Sequence, residues 1–280
     1  MNADLHCHSV MSDGVLTPEE LALRAAAQGV QIWSLTDHDE LAGLDRAQLA
    51  AEKAGMLFVP GVEISVTWAG KTVHIVGLGI QAHDSALAEG LAQVRSGRNE
   101  RAQEIGRELE KHGIEGAYQG AVAYATNPAL IGRTHFARFL IERGVCSSVR
   151  DVFANYLVKG KPGYVPFDWA SLREAVGWIL DSSGAAVIAH PGRYTFSELQ
   201  LDELIAQFKQ FGGAGLEVVT GSHTTDEYRY FAQKAVRSGL KASRGSDFHS
   251  PQESRINLGE LPPLPCGCVP IWDNWARLYM

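Results

Sequence analysis

Short apolar runs, mostly β-branched, alternate along the chain with stretches of helical periodicity. Segments 32–36, 57–60, 72–76, 185–189 and 216–219 read as strands, with 240–243 as a further one and the segment around His6 as the first. Thr17-Pro18-Glu19-Glu20 is a capping box with proline at the first helical position, leading into a helix over 21–27. Gly29 closes that helix, and Gly55 closes the next one, over 44–54. Strand alternating with helix predicts an α/β chain built on a parallel sheet with crossover helices. In such sheets, and in barrels above all, chemistry gathers at the carboxyl ends of the strands.

One stretch breaks the rhythm. Between 85 and 167 no strand pattern appears, and 87–112 reads as one long charge-mixed helix or two. Gly113, Gly116 and Gly120 then loosen the chain before helical spacing resumes over 133–140. The expected organisation is a barrel from 1–84 and 168–280, interrupted by a helical insertion, 85–167, that contributes to the substrate pocket.

The length of 280 residues is close to the ~250 of a complete (β/α) barrel. No segment approaches the ~18 uncharged apolar residues of a membrane span. Met1-Asn2-Ala3-Asp4 runs into the first strand without a basic or apolar leader, so no secretion signal and no membrane partner are expected. Cys7, Cys146, Cys266 and Cys268 are too scattered for a disulfide framework, which points to the cytoplasm, and the Cys266-Gly267-Cys268 pair reads as a surface loop. A net charge of −7 excludes broad binding to duplex nucleic acid. It leaves room for an anionic substrate, because bound metals would be a large local positive charge.

Metal-ligating residues recur where the apolar runs end. On a strand, His6 and His8 project to one face, half of a metal site. Asp13, Asp37-His38-Asp39, Glu63, His190, and Asp247 with His249 each follow or end a run, and His74 lies inside one. Asp37 and Asp39 are candidates to orient His38 through its second ring nitrogen. Cys7, alternating away from the histidine pair, reads as a core residue. Basic residues concentrate in the insertion. Arg133-Thr134-His135 opens a helix, where backbone N–H groups favour anions, and Lys159-Gly160-Lys161-Pro162-Gly163 sets lysines beside glycine. His83 and His112 read as surface residues. His223, at a strand end, is a candidate substrate contact, and Glu217 is either a buried partner or a pocket residue.

The order His-x-His, Ser-Asp-Gly, Thr-Asp-His-Asp, Gly-Val-Glu, His, Ala-His-Pro-Gly and Gly-Ser-Asp-x-His resembles the PHP (polymerase and histidinol phosphatase) family over the whole chain. The resemblance implies a distorted seven-stranded (β/α) barrel of amidohydrolase-like type, with a trinuclear metal centre. One metal would be held by His6, His8, Glu63 and Asp247, a second by Glu63, His74 and His190, and a third by Asp13, His38 and His249. Glu63, Asp247, His190 and His38 would form its catalytic core. Mixed imidazole and carboxylate ligands suit two to three divalent transition metals, manganese first, with zinc or iron as alternatives. The Arg-Thr-His-Phe-Ala, Gly-Lys-Pro-Gly-Tyr and Ala-His-Pro-Gly-Arg-Tyr segments are similar to a bacterial subgroup that removes a phosphate from 3′,5′-nucleoside bisphosphates or trims RNA from its 5′ end. That similarity implies a 3′-phosphatase leaving a nucleoside 5′-monophosphate, with single-stranded RNA 5′ ends as a further substrate. Arg98, Arg101, Arg133, Thr134, His135, Lys161, Arg193 and His223 would bind that substrate. Histidinol-phosphate phosphatase activity, or a non-catalytic binding module, is the alternative.

Overall fold

The computed structural model describes residues 1–273 and 275; residues 274 and 276–280, the end of the expected barrel segment, lie outside the described residues. The chain opens β1 (Ala3–Asp4), α1 (Pro18–Ala27), β2 (Ile32–Trp33), α2 (Leu44–Lys53) and β3 (Leu57–Phe58). The Thr17 box caps α1 as its sequence predicts, with the Glu20 carboxylate returning to the Thr17 N–H. β1, β2 and β3 form a parallel sheet in that order.

β4 (Gly61–Trp68) and β5 (Lys71–Leu78) follow as a hairpin. After them come α3 (Ser85–Lys111), α4 (Ala117–Ala123), α5 (Arg133–Glu142) and α6 (Val149–Val152). The chain then returns to sheet through β6 (Ala170–Ser171), α7 (Leu172–Asp181), β7 (Ala185–Ile188), α8 (Glu198–Gln210), β8 (Gly215–Thr220), α9 (Thr225–Ser238) and β9 (Lys241–Gly245). The second sheet has the order β6-β4-β5-β7-β8-β9.

The all-parallel expectation needs correction. β5 runs antiparallel to both β4 and β7, because the left-handed pair Ala69 and Gly70 turns the chain straight back after β4. Segment 57–60 does not end at Glu63; Pro60 stops it, and Glu63 lies inside a new eight-residue strand. The fold is α/β with mixed sheets, and its nine described strands lie in two sheets. Isolated bridges Cys7–Phe248 and His38–Glu63 join the two.

The sheets and outer helices share a large apolar core containing Trp33, Ile64, Ile75, Ile188 and Leu216. Residues 85–167 contain no strand, and α3 to α6 pack around a separate apolar cluster that includes Ile105, Leu109, Phe136, Leu140 and Leu157. The expected long helix is a single 27-residue helix capped by the Asp84 side chain. No helix among the described residues is long and apolar enough to cross a membrane.

Candidate metal centre and anion cleft

Nine ligating side chains converge where the two sheets meet, in groups whose ligand atoms lie within 4.8 Å of one another. His6 and His8 continue from β1 on either side of Cys7, which buries itself in the opposite direction. Their Nε2 atoms stand 3.2 Å apart. Glu63 Oε2 is 3.3 Å from each, and Asp247 Oδ1 is 3.6 and 3.3 Å away. The other Glu63 oxygen, Oε1, lies 2.8 Å from His74 Nδ1 and 2.9 Å from His190 Nε2. Glu63 thus faces two groups at once, as a bridging carboxylate must. Asp13 Oδ1 faces His249 Nε2 at 3.3 Å, His8 Nδ1 at 3.9 Å and His38 Nε2 at 4.0 Å. His38 also turns Nδ1 to Glu63 Oε2 at 2.9 Å, so it borders two groups rather than one.

Local backbone serves this convergence. Asp13 sits on a tight turn closed by the Gly14 N–H on the Ser9 carbonyl, 2.9 Å. A Cβ on Gly14 would fall 2.1 Å from the His8 carbonyl oxygen, so only glycine fits there. His190 and Asp247 hold positive φ, 27° and 54°, a strain typical of functional sites.

The electrostatics ask for cations. Burial favours the neutral form of Glu63, yet His74, His38 and His6 hold its carboxyl well below the usual range. Burial likewise opposes charge on His8, yet the Asp247 and Glu63 carboxylates push it up to about 10. Burial pushes His38 and His190 down to about 4. His38 Nδ1 and Glu63 Oε2 stand 2.9 Å apart without hydrogen-bond geometry, and His8 Nδ1 and Asp13 Oδ1 are also buried and unbonded, although buried polar atoms are almost always paired. Orphaned donor atoms of imidazole and carboxylate type, aimed at shared points, fit divalent metal ions.

Neither aspartate beside His38 orients it. Asp37 accepts from the Ser9 N–H and from the Ser9 and Ser12 hydroxyls, at 2.7, 2.6 and 2.6 Å, and so fixes the turn carrying Asp13. Asp39 accepts from the Ser65 N–H at 2.8 Å and from Arg98 Nε at 2.7 Å. The orienting carboxylate is Glu217, left open by sequence, which is bonded to His6 Nδ1 at 2.8 Å.

A cleft of about 80 Å³ opens over the cluster, and Arg98, Arg101, Arg133 and Arg193 line it with Asp13, His38, His74 and His249. Burial, then the neighbouring Arg133 and Arg98, push Arg101 down to about 9; burial, then Arg193 and Arg98, push Arg133 down to about 10. These directions mark guanidinium groups that are buried first and crowded by one another second. Trp169 lies beneath Arg98 and Arg101, and Phe153 beneath Arg133, at 5.1 to 5.3 Å. Sequence reasoning missed both aromatic walls; nothing local marks them. Arg193 spans the two regions, with NH1 on Asp247 Oδ2 at 2.8 Å. A hollow of about 500 Å³ adjoins through Thr134, Phe153, Arg193 and His249.

Four candidates from sequence do not present a free group to this cleft. Lys161 is exposed and outside its lining, because it sits on a surface turn closed onto Val158. His135 turns back to accept the Gly132 N–H at 3.0 Å, capping α5. His223 spends both ring nitrogens on backbone, Nδ1 with the Val218 carbonyl at 3.1 Å and Nε2 accepting from the Gly192 N–H at 3.0 Å. Thr134 lines the cleft, but its hydroxyl donates to Asp13 Oδ2 at 2.9 Å.

The family model described as the PHP domain matches residues 4–221. The chain belongs to the PHP family. A PHP relative from Chromobacterium violaceum, a 3′,5′-nucleoside bisphosphate phosphatase, is 51% identical over 271 residues, covering 97% of this chain and 95% of the relative. A 5′-3′ exoribonuclease of Escherichia coli is 43% identical over 276 residues, covering 98% and 94%. Among solved structures, an amidohydrolase from Chromobacterium violaceum, with bound sulfate and no metal, matches with a TM-score of 0.95 at 49% identity, covering 99% of this chain and 96% of that one.

Proposed function

We propose that this PHP chain is a metal-dependent phosphatase that removes the 3′-phosphate of a 3′,5′-nucleoside bisphosphate and leaves a nucleoside 5′-monophosphate. One observation carries the reading: a single cleft brings candidate metal ligands together with four arginines, two of which, Arg101 and Arg133, have no carboxylate partner among the described residues. A lone phosphate needs little beyond the metals, so the arginines call for a second anionic group. That favours the bisphosphate over histidinol phosphate, and the relative from Chromobacterium violaceum carries this activity in its name.

His6, His8, Asp247 and Glu63 would hold one ion, Glu63, His74 and His190 a second, and Asp13, His38 and His249 a third. The mixed donor set suits manganese, with zinc or iron as alternatives. When bound, such ions supply Lewis-acid charge to the phosphoryl oxygens and acidify water at the centre. The chain does the rest. Arg101 and Arg133 grip the phosphate that stays, and Arg98 is held in place for it by Asp39. Arg193, anchored on Asp247 and lining the same cleft, would reach both the retained and the departing phosphate. Trp169 and Phe153 keep water from behind the guanidinium groups, which strengthens their pull on an anion. His38 and His190, kept neutral by burial, can ligate without first losing a proton.

The adjoining hollow of about 500 Å³ has room for a nucleoside, or for the first nucleotides of an RNA 5′ end. A second activity as a 5′-3′ exoribonuclease is supported by the Escherichia coli relative. The two bridged sheets would then be the wall of a distorted barrel, and 85–167 an insertion folded over its open face. Four free cysteines fit a reducing, cytoplasmic setting.

The test is product analysis with Mn²⁺ present. Adenosine 3′,5′-bisphosphate should yield inorganic phosphate and adenosine 5′-monophosphate. Absence of phosphate release from this substrate, with turnover of histidinol phosphate instead, would overturn the proposal.

A further inference from the structure

Helix α5 serves two neighbours within its first two turns. At its start Arg133 lines the basic cleft. The next residue, Thr134, donates its hydroxyl proton to Asp13 Oδ2 at 2.9 Å. One turn on, Arg138 NH2 donates to the Asp13 carbonyl at 2.8 Å, and the same guanidinium holds both carboxylate oxygens of Glu253 at 2.7 Å. Glu253 belongs to the turn that follows His249. Its N–H donates to Ser250 Oγ at 2.9 Å, and the neighbouring Ser254 Oγ accepts from the His249 N–H at 2.8 Å.

α5 therefore grips both loops that carry Asp13 and His249. Among the described residues its side chains make no hydrogen bond to Glu63, His74, His190 or Asp247. The Asp13 carboxylate is divided. Oδ2 is taken by Thr134, while Oδ1 is buried, unpartnered and 3.3 Å from His249 Nε2. A carboxylate with one oxygen fixed and the other free is an oriented metal ligand.

We infer that Thr134 and Arg138 are positioning residues that assemble the third metal position, the one bounded by Asp13, His38 and His249. The inference rests on the metal centre proposed above. The helical segment then acts on the metal centre as well as on the substrate.

The experiment is titration of metal-free protein with Mn²⁺ by calorimetry, with bound ions counted by elemental analysis. Wild type, Thr134→Val, Thr134→Ser and Arg138→Gln are compared. Thr134→Val keeps the side-chain shape and loses the donor, so one binding step should weaken by roughly 10- to 100-fold while the others stay put. Thr134→Ser, which keeps the hydroxyl, should restore that step. If Arg138→Gln does not fold, the two Thr134 variants decide. Uniform weakening of every step, an unchanged Thr134→Val, or a wild type that never takes a third ion would overturn the inference. A wild type that takes no Mn²⁺ at all would instead overturn the metal centre itself.

Discussion

Glu217 holds His6 Nδ1 with one carboxylate oxygen at 2.8 Å and accepts the backbone N–H of His190 with the other at 2.6 Å. One buried acid on β8 thereby turns the Nε2 of His6 toward Glu63 and His8, at the proposed metal centre, and pins the strained turn that carries His190, another candidate ligand. Glu217→Gln keeps the shape and loses the charge. Mn²⁺ affinity should fall roughly 10- to 100-fold with little change in far-UV circular dichroism. Affinity equal to wild type would remove Glu217 from the account.

Glu63 is the acid shared between two groups, so its loss should exceed that of a terminal ligand. Glu63→Gln is expected to lower kcat/KM more than His249→Ala does, with loss of more than one bound ion. Near-normal turnover in Glu63→Gln would refute the bridge.

Gly14 lies against the His8 carbonyl, where a Cβ would sit 2.1 Å from the oxygen. Gly14→Ala must push apart the turn carrying Asp13 and the segment carrying His8. An overpacking cost of about 1–3 kcal/mol is expected, visible as a lower Tm together with weaker metal loading. A variant with wild-type Tm would show that the turn opens freely.

The nine side chains that converge in the structure are the ones the sequence offers as candidate ligands, because metal chemistry admits few residue types and most of them lie where apolar runs end. The hairpin was harder to see. Val62, Ile64, Val66 and Trp68 do alternate with Glu63, Ser65 and Thr67, and Ala69-Gly70 makes the turn, but Glu63 reads as the residue that follows segment 57–60, which hides the strand it belongs to. Direction is what local sequence does not encode. His135 and His223 look like pocket residues until their ring nitrogens are seen on backbone. The Arg138–Glu253 pair joins positions 115 residues apart, and Trp169 reaches Arg101 only through tertiary packing.

The pH dependence of the metal-free protein follows from its imidazoles. All have an ordinary value of 6.5; in the fold His38 and His190 lie near 4 and His8 near 10. From pH 4 to 6.5 the unfolded chain binds more protons at His38 and His190, so stability rises with pH. From 6.5 to about 10 the folded chain holds more protons at His8, and stability falls. Thermal melts of metal-free protein should therefore peak near pH 6.5. Mn²⁺, which competes with the His8 proton, should raise Tm most on the alkaline side. A Tm that climbs steadily to pH 9 without metal would contradict the charge arrangement.

The central claim is that the metal centre attacks one phosphate while the arginines hold another, and Arg133→Ala tests it most directly. Loss of a well-placed guanidinium removes a charge-assisted contact worth about 1.5–3 kcal/mol, roughly 10- to 150-fold in kcat/KM. The account predicts that loss on adenosine 3′,5′-bisphosphate and a much smaller one on an aryl phosphate, which has no second anionic group. An equal loss on both substrates would mean that Arg133 supports the fold or the metal centre, and would contradict the two-phosphate reading.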